Sequence, residues 1–231
     1  MKTSYKGTFI ACLVLFLWFT NLSYLLVYQT VNFNSVLVYF FIFLQTHLYT
    51  GIFITAHDAM HGLVSPNRNV NRWIGRIAAA LFAFNSYDLL NSKHHLHHRF
   101  VGTDQDPDYH QGGFWVWYYH FAKQYVTWIQ IVLMAISYNL LKLVFPMENL
   151  ILFWIIPSIL STFQLFYFGT YKPHMGEHEN VHKAGSQRKN HFWAFLSCYF
   201  FGYHYEHHSS PATPWWKLYQ EKEKNDLILK K

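Results

Sequence analysis

The chain has 231 residues, of which 52% are hydrophobic and only 13% charged. A disordered chain needs the opposite balance, so disorder is excluded, and apolar residues gathered in long runs argue against a plain soluble domain. The net charge of +6 points to basic loops on one side of a membrane, and no nucleic-acid partner is expected.

In chain order, residues 9–28 form the first uncharged apolar run. At about 1.5 Å per residue it is long enough to cross a ~30 Å hydrocarbon core. Only Lys2 and Lys6 precede it and no small-residue cleavage site follows, so it reads as an anchor and not as a removed leader. Residues 36–56 form a second run. Residues 74–84 are too few to span and suit a re-entrant or interfacial helix. Residues 125–141 and 150–168 form the third and fourth spans. Pro157 in the last is tolerable, because neighbouring helices can satisfy the freed backbone groups. Residues 217–231 read as a charged, soluble tail.

The expected fold is therefore an all-α integral membrane protein, a single domain over residues 1–231. It has four transmembrane helices, a short re-entrant or interfacial helix and a His-rich di-metal cap. Four spans place both termini and every His-rich segment on one side. Of the 18 Lys and Arg, only Lys142 falls opposite, so the positive-inside rule makes the His-rich side cytoplasmic. Two cysteines, Cys12 and Cys198, with no CxxC pair, exclude a disulfide framework and thiolate metal sites.

Three histidine clusters carry the chemistry. HDAMH contains His57 and His61, HHLHH contains His94, His97 and His98, and HYEHH contains His204, His207 and His208. On a helix, residues three and four apart share a face, so each cluster aims two or three imidazoles at one point. His95 points about 100° away from His94 and is left out. At the chain's histidine content about 0.08 HxxHH motifs are expected by accident, and two occur. Eight neutral imidazoles are too many for one ion and suit two ions with open positions. The imidazoles alone do not name the element. No HExxH is present, so the common zinc-peptidase signature is missing.

The three boxes, in this order and astride apolar spans, resemble the membrane histidine-box di-iron superfamily. Within it they resemble the bacterial and cyanobacterial β-carotene ketolase family. The matching stretches are FITAHDAMHG (53–62), KHHLHH (93–98), GTDQDPDYH (102–110), FGTYKPH (168–174), FGYHYEHH (201–208) and PATPWWKL (211–218). The resemblance implies two non-haem iron ions held by the eight box histidines, with O2 as co-substrate. It also implies a ninth nitrogen ligand upstream of the third box. His174 is the candidate, with His178, His182 and Glu179 as competitors. The implied reaction turns the C4 methylene of a β-ionone ring into a ketone by two successive hydroxylations. The substrate would be lipid-dissolved β-carotene, or its hydroxylated relative zeaxanthin. An external ferredoxin-type electron donor is implied, in a bacterial or cyanobacterial inner or thylakoid membrane.

Metal-bound imidazoles usually give their second N–H to a carboxylate or carbonyl. Asp58, Asp106 and Asp108 are candidates for that supporting role, with Glu206 beside them. His47, deep in the second span, is expected to hydrogen-bond a neighbouring helix; His110, His120 and His191 read as interfacial. Trp115, Trp117, Tyr118, Trp215 and Trp216 flank the metal layer and could form either an interfacial belt or a substrate slot. The rival readings are an acyl-lipid desaturase or carotenoid hydroxylase with the same metal site, a membrane metal transporter, and a bis-histidine haem protein.

Overall fold

The computed structural model describes residues 5–228; Lys2 and the last three residues of the expected tail lie outside that range. The described residues are helices joined by turns and loops. Three helices are long and apolar enough to cross a membrane: α1 (Lys6–Val27), α2 (Val36–Met60) and α7 (Met147–His174). Polar side chains fasten them where lipid offers no hydrogen bonds. Asn21 donates to Gln45 at 2.6 Å between α1 and α2. The hydroxyls of Thr50 and Ser161 meet at 2.9 Å between α2 and α7. Asn149 donates to the carbonyls of Leu25 and Gln29, both at 2.7 Å, holding the start of α7 to the end of α1.

The expected third span differs. After α5 (Phe114–Tyr125), Val126 leaves the helix in an extended conformation, and Thr127 begins a new one through a reciprocal cap with Gln130. The resulting α6 (Trp128–Leu141) has 14 residues. That is about 21 Å, less than a ~30 Å hydrocarbon core.

The short apolar run at 74–84 belongs to a longer amphipathic helix, α3 (Arg68–Ala83), capped by the Asn67 side chain on the N–H groups of Asn69 and Val70. It packs antiparallel along α2. Gly75 lies where a Cβ would overlap Tyr87 and come within 2.8 Å of Ala59, so only glycine allows this approach. Deeper down, Phe82 meets Phe53 and Tyr49 edge-on at 5.4 and 6.0 Å. The chain turns back at Phe84, in the left-handed conformation with φ 53°. Then α4 (Tyr87–Phe100) returns towards the end of α2. This dip-and-return hairpin keeps the first and second histidine boxes at the same end of the bundle.

The last third closes over that end. α8 (His191–Cys198) stops at Tyr199, and Tyr199 and Phe200 are both left-handed, φ 49° and 63°. α9 (His204–Ser209) carries the third box. The expected tail is not free: α10 (Leu218–Ile228) buries Leu218 against Ala194 and Tyr203. Lys222 also reaches to 3.7 Å from the buried Glu206.

Candidate metal centre

Each box sits at a point its local structure fixes. His57 and His61 end α2, one turn apart. His94, His97 and His98 lie on the inward face of α4, and His95 faces out, its Nδ1 bonded to the carbonyl of Asn91 at 2.8 Å. His204, His207 and His208 lie on α9. His174 closes α7, immediately after a π-helical turn over Tyr167–Tyr171. Such a turn inserts a residue into the helical ladder and re-aims the side chains beyond it.

The nine imidazoles converge as two groups. His57, His61, His94 and His207 form one; His97, His174, His204 and His208 form the other. Within each group the ligand nitrogens all lie within 4.8 Å of one another. His98 stands between the groups. Its Nε2 is 3.1 Å from that of His94 and 2.9 Å from that of His207, and its ring stacks on His208 at 4.3 Å. Other Nε2 pairs are His61–His94 at 2.7 Å, His97–His208 at 3.1 Å and His204–His208 at 3.0 Å.

These spacings fit metal ions. Two nitrogens bound at right angles about 2.1 Å from one ion stand about 3 Å apart. The Nε2 atoms of His57 and His174 are fully buried and have no hydrogen-bond partner, a costly state unless a cation takes the lone pair. Burial also pushes the pKa of His94, His204, His207 and His208 well down, with further lowering from neighbouring imidazoles. His61 falls to about 4 and His98 to about 2 for the same reasons. The histidines are thus held neutral, the form that ligates.

His97 is the exception. Burial lowers its pKa, but the hydrogen bond to Asp106 and the charges of Asp108 and Asp106 carry it above the ordinary value. Its Nδ1 lies 2.9 Å from Asp106 Oδ1. Asp106 is itself fixed by the N–H groups of Gly102 and Asp108, each at 2.9 Å. Asp108 Oδ2 is 4.0 Å from the same Nδ1. Asp108 accepts from the Tyr125 hydroxyl, and its carbonyl accepts from Trp117 Nε1 at 2.7 Å. Asp58 approaches His57 Nδ1 only to 3.5 Å and accepts from the Trp215 N–H at 3.1 Å. Glu206 touches no imidazole; it accepts from Ser186 at 2.6 Å.

His174 lies among the nine, whereas His178 and His182 lie outside both groups. His174 donates through Nδ1 to the carbonyl of Lys183 at 2.9 Å, a residue in the left-handed conformation at φ 41°. Nothing in the sequence marks that carbonyl. His47 does not bond a neighbouring helix: it stacks on Tyr199 at 4.3 Å, and both ring nitrogens lack partners. His110 and His120 stack on each other at 3.7 Å, and His191 bonds Tyr203 and Glu223.

A cavity of about 920 Å³, including its open mouth, is lined in part by His57, His94, His97 and His204. Its walls are mainly apolar, with Phe53, Phe82, Phe121 and Leu165 prominent, and none of the five flanking Trp and Tyr residues lines it. Phe201 forms part of the wall and packs 4.7 Å from His57. The signal sequence reasoning could have used for it is Gly169, whose missing Cβ would overlap the Phe201 ring.

All-helical architecture and paired histidine groups at one end of apolar helices define the class, and the chain belongs to the fatty acid desaturase family, whose model matches residues 34–136 and 113–226. The chain is 39% identical to the zeaxanthin 4-ketolase of Chlamydomonas reinhardtii over 87% of its length, covering 48% of that protein. It is 40% identical to the beta-carotene ketolase of a Paracoccus species, with 78% of this chain and 77% of that protein aligned. It is 41% identical to a beta-carotene ketolase of Haematococcus lacustris, with 74% and 58% aligned. The chain thus spans about half the length of the Chlamydomonas relative. No solved structure matches the chain with significance.

Proposed function

We propose that the chain is a carotenoid 4-ketolase, turning the C4 methylene of a β-ionone ring into a ketone. The observation that carries this reading is the cavity. Its wall includes four histidines from both groups, and its otherwise mainly apolar lining fits a hydrocarbon ring. The ketolase relatives support the same substrate class.

Two non-haem iron ions, when bound by the nine histidines, supply the activation of O2 that an allylic C–H bond requires. The chain's own residues do the rest. Asp106 accepts the Nδ1–H of His97, and the Lys183 carbonyl that of His174, leaving both Nε2 lone pairs facing inward. Phe53, Phe82 and Leu165 exclude water and hold the ring beside the histidines. Tyr125 donates to Asp108 and keeps that buried carboxylate satisfied. The first round converts CH2 to CHOH; the second gives a gem-diol, which loses water to the ketone. Each round consumes O2, two electrons and two protons and releases one water. The electrons come from an external donor of ferredoxin type, docked on the basic face.

In this reading α5 and α6 together make the fourth membrane crossing, and the histidine end, with the start of α1 and the end of α10, is cytoplasmic. A metal transporter fits less well, because the ligands gather at one end of the helices and not near the bilayer midplane. Expression in a bacterium that accumulates β-carotene, followed by pigment analysis, tests the proposal. Conjugated ketone is the expected product. Ring hydroxyl alone would mean a hydroxylase, and unchanged pigment with altered acyl chains a desaturase.

A further inference from the structure

A conjugated polyene is straight and stiff. With one ring against the histidine wall, the rest of such a substrate must leave the ring chamber in a line. The structure has a second cavity, of about 680 Å³ including its open mouth, and Ala83 belongs to the walls of both. The two cavities also share one stripe of α6. Gln130 lines the first; Met134, Ser137 and Leu141 line the second. Steps of four, three and four keep these residues on one helix face, and the stripe rises about 16 Å.

The direction is consistent. α3 descends from the level of Ala59 to that of Phe53 and Tyr49, and at its end Ala83 lines both cavities and Phe84 the second. Beyond it the wall passes to Trp18, Leu22 and Leu26 of α1. Apart from the Ser137 hydroxyl and the indole N–H groups of Trp18 and Trp154, the lining side chains are apolar. Between the two cavities, Gln130 donates to the Ala83 carbonyl at 3.3 Å and to the Asn85 side chain, so the turn at the end of α3 is pinned to α6.

We propose that the two cavities are chambers of one substrate channel, the first holding the reacting ring and the second the polyene chain. This rests on the carotenoid reading above. The substrate then stands along the bundle, and only one ring can face the metals in any binding event. Oxidation of both rings requires release and end-for-end reversal.

Ala83→Leu adds bulk between the two cavities and Ser137→Phe fills the second chamber. Each variant is purified from cells accumulating β-carotene, and two quantities are read. One is carotenoid bound per protein. The other is the ratio of conversion of the full-length substrate to that of a short-chain analogue bearing the same ring. A ratio is insensitive to how much protein folds. Both quantities are expected to fall by about tenfold, a loss of ~1.4 kcal/mol of binding. An unchanged ratio with unchanged bound pigment would overturn the channel. So would loss of bound phospholipid with pigment retained, which would make the second chamber an acyl-chain site. Wild-type protein that binds carotenoid in a manner sensitive to both substitutions yet forms no ketone would refute the ketolase reading alone.

Discussion

Asp106 and His97 form the best-defined support in the candidate metal centre. The carboxylate sits 2.9 Å from the imidazole Nδ1, and two backbone N–H groups hold it there. One residue thus ties the loop after the second box to an imidazole of the second histidine group.

Asp106→Asn keeps the shape but removes the charge that orients His97. Losing such a partner typically costs 10–100-fold in metal affinity or activity, as an order of magnitude. Iron content per chain and ketone yield, measured together, should both drop. If the variant keeps full iron, Asp106 is only a turn cap.

The nine histidines divide from the bystanders by position. His97→Ala, His207→Ala and His174→Ala should each abolish ketone formation and lower bound metal while the protein remains in the membrane. His178→Ala should retain metal, although it lies close by in sequence. Equal metal loss in His174→Ala and His178→Ala would take His174 out of the ligand set.

Gly169→Ala tests the cavity wall. Its methyl group would press on Phe201, which packs against His57. Overpacking of this kind costs about 1–3 kcal/mol. Slower turnover and a lower Tm are expected, and a smaller residue at position 201, as in Phe201→Leu, should restore part of the loss. No recovery in the double variant would show that the clash is not with that ring.

Acid should weaken the metal-free protein in a definite window. His61 titrates near 4 and His98 near 2 in the fold, against an ordinary 6.5 when unfolded. Between those values the unfolded chain binds protons that the folded chain refuses, so stability falls as pH drops below about 6.5. Tm of chelator-treated protein in detergent, scanned from pH 7 to pH 4, should decline steadily. A flat profile would mean that the imidazoles are not held neutral.

Much of the site was legible because helical spacing is a strong constraint. HxxHH on a helix admits few arrangements, and the eight box histidines and the exclusion of His95 came from it. The hairpin of α3 and α4 was legible in outline, because an apolar run that is too short cannot cross. Its true start at Arg68 was not, since an amphipathic helix hides its polar half from a search for apolar runs. The break at Val126 was missed for the opposite reason: apolar composition continues through Thr127, and only the reciprocal cap with Gln130 ends one helix and begins another. Backbone partners such as the Lys183 carbonyl carry no side-chain signature. His47 was misjudged because aromatic stacking and hydrogen bonding look alike from sequence.

The histidines that meet come from distant parts of the chain: His97 approaches His208 across 111 positions, and His98 approaches His207 across 109. A nascent polypeptide therefore cannot complete either four-histidine group while its early helices are entering the bilayer. Both groups close only once α9 has emerged from the ribosome, so a chain truncated before Tyr203 would lack His207 of the first group and His204 and His208 of the second, and should hold metal more weakly.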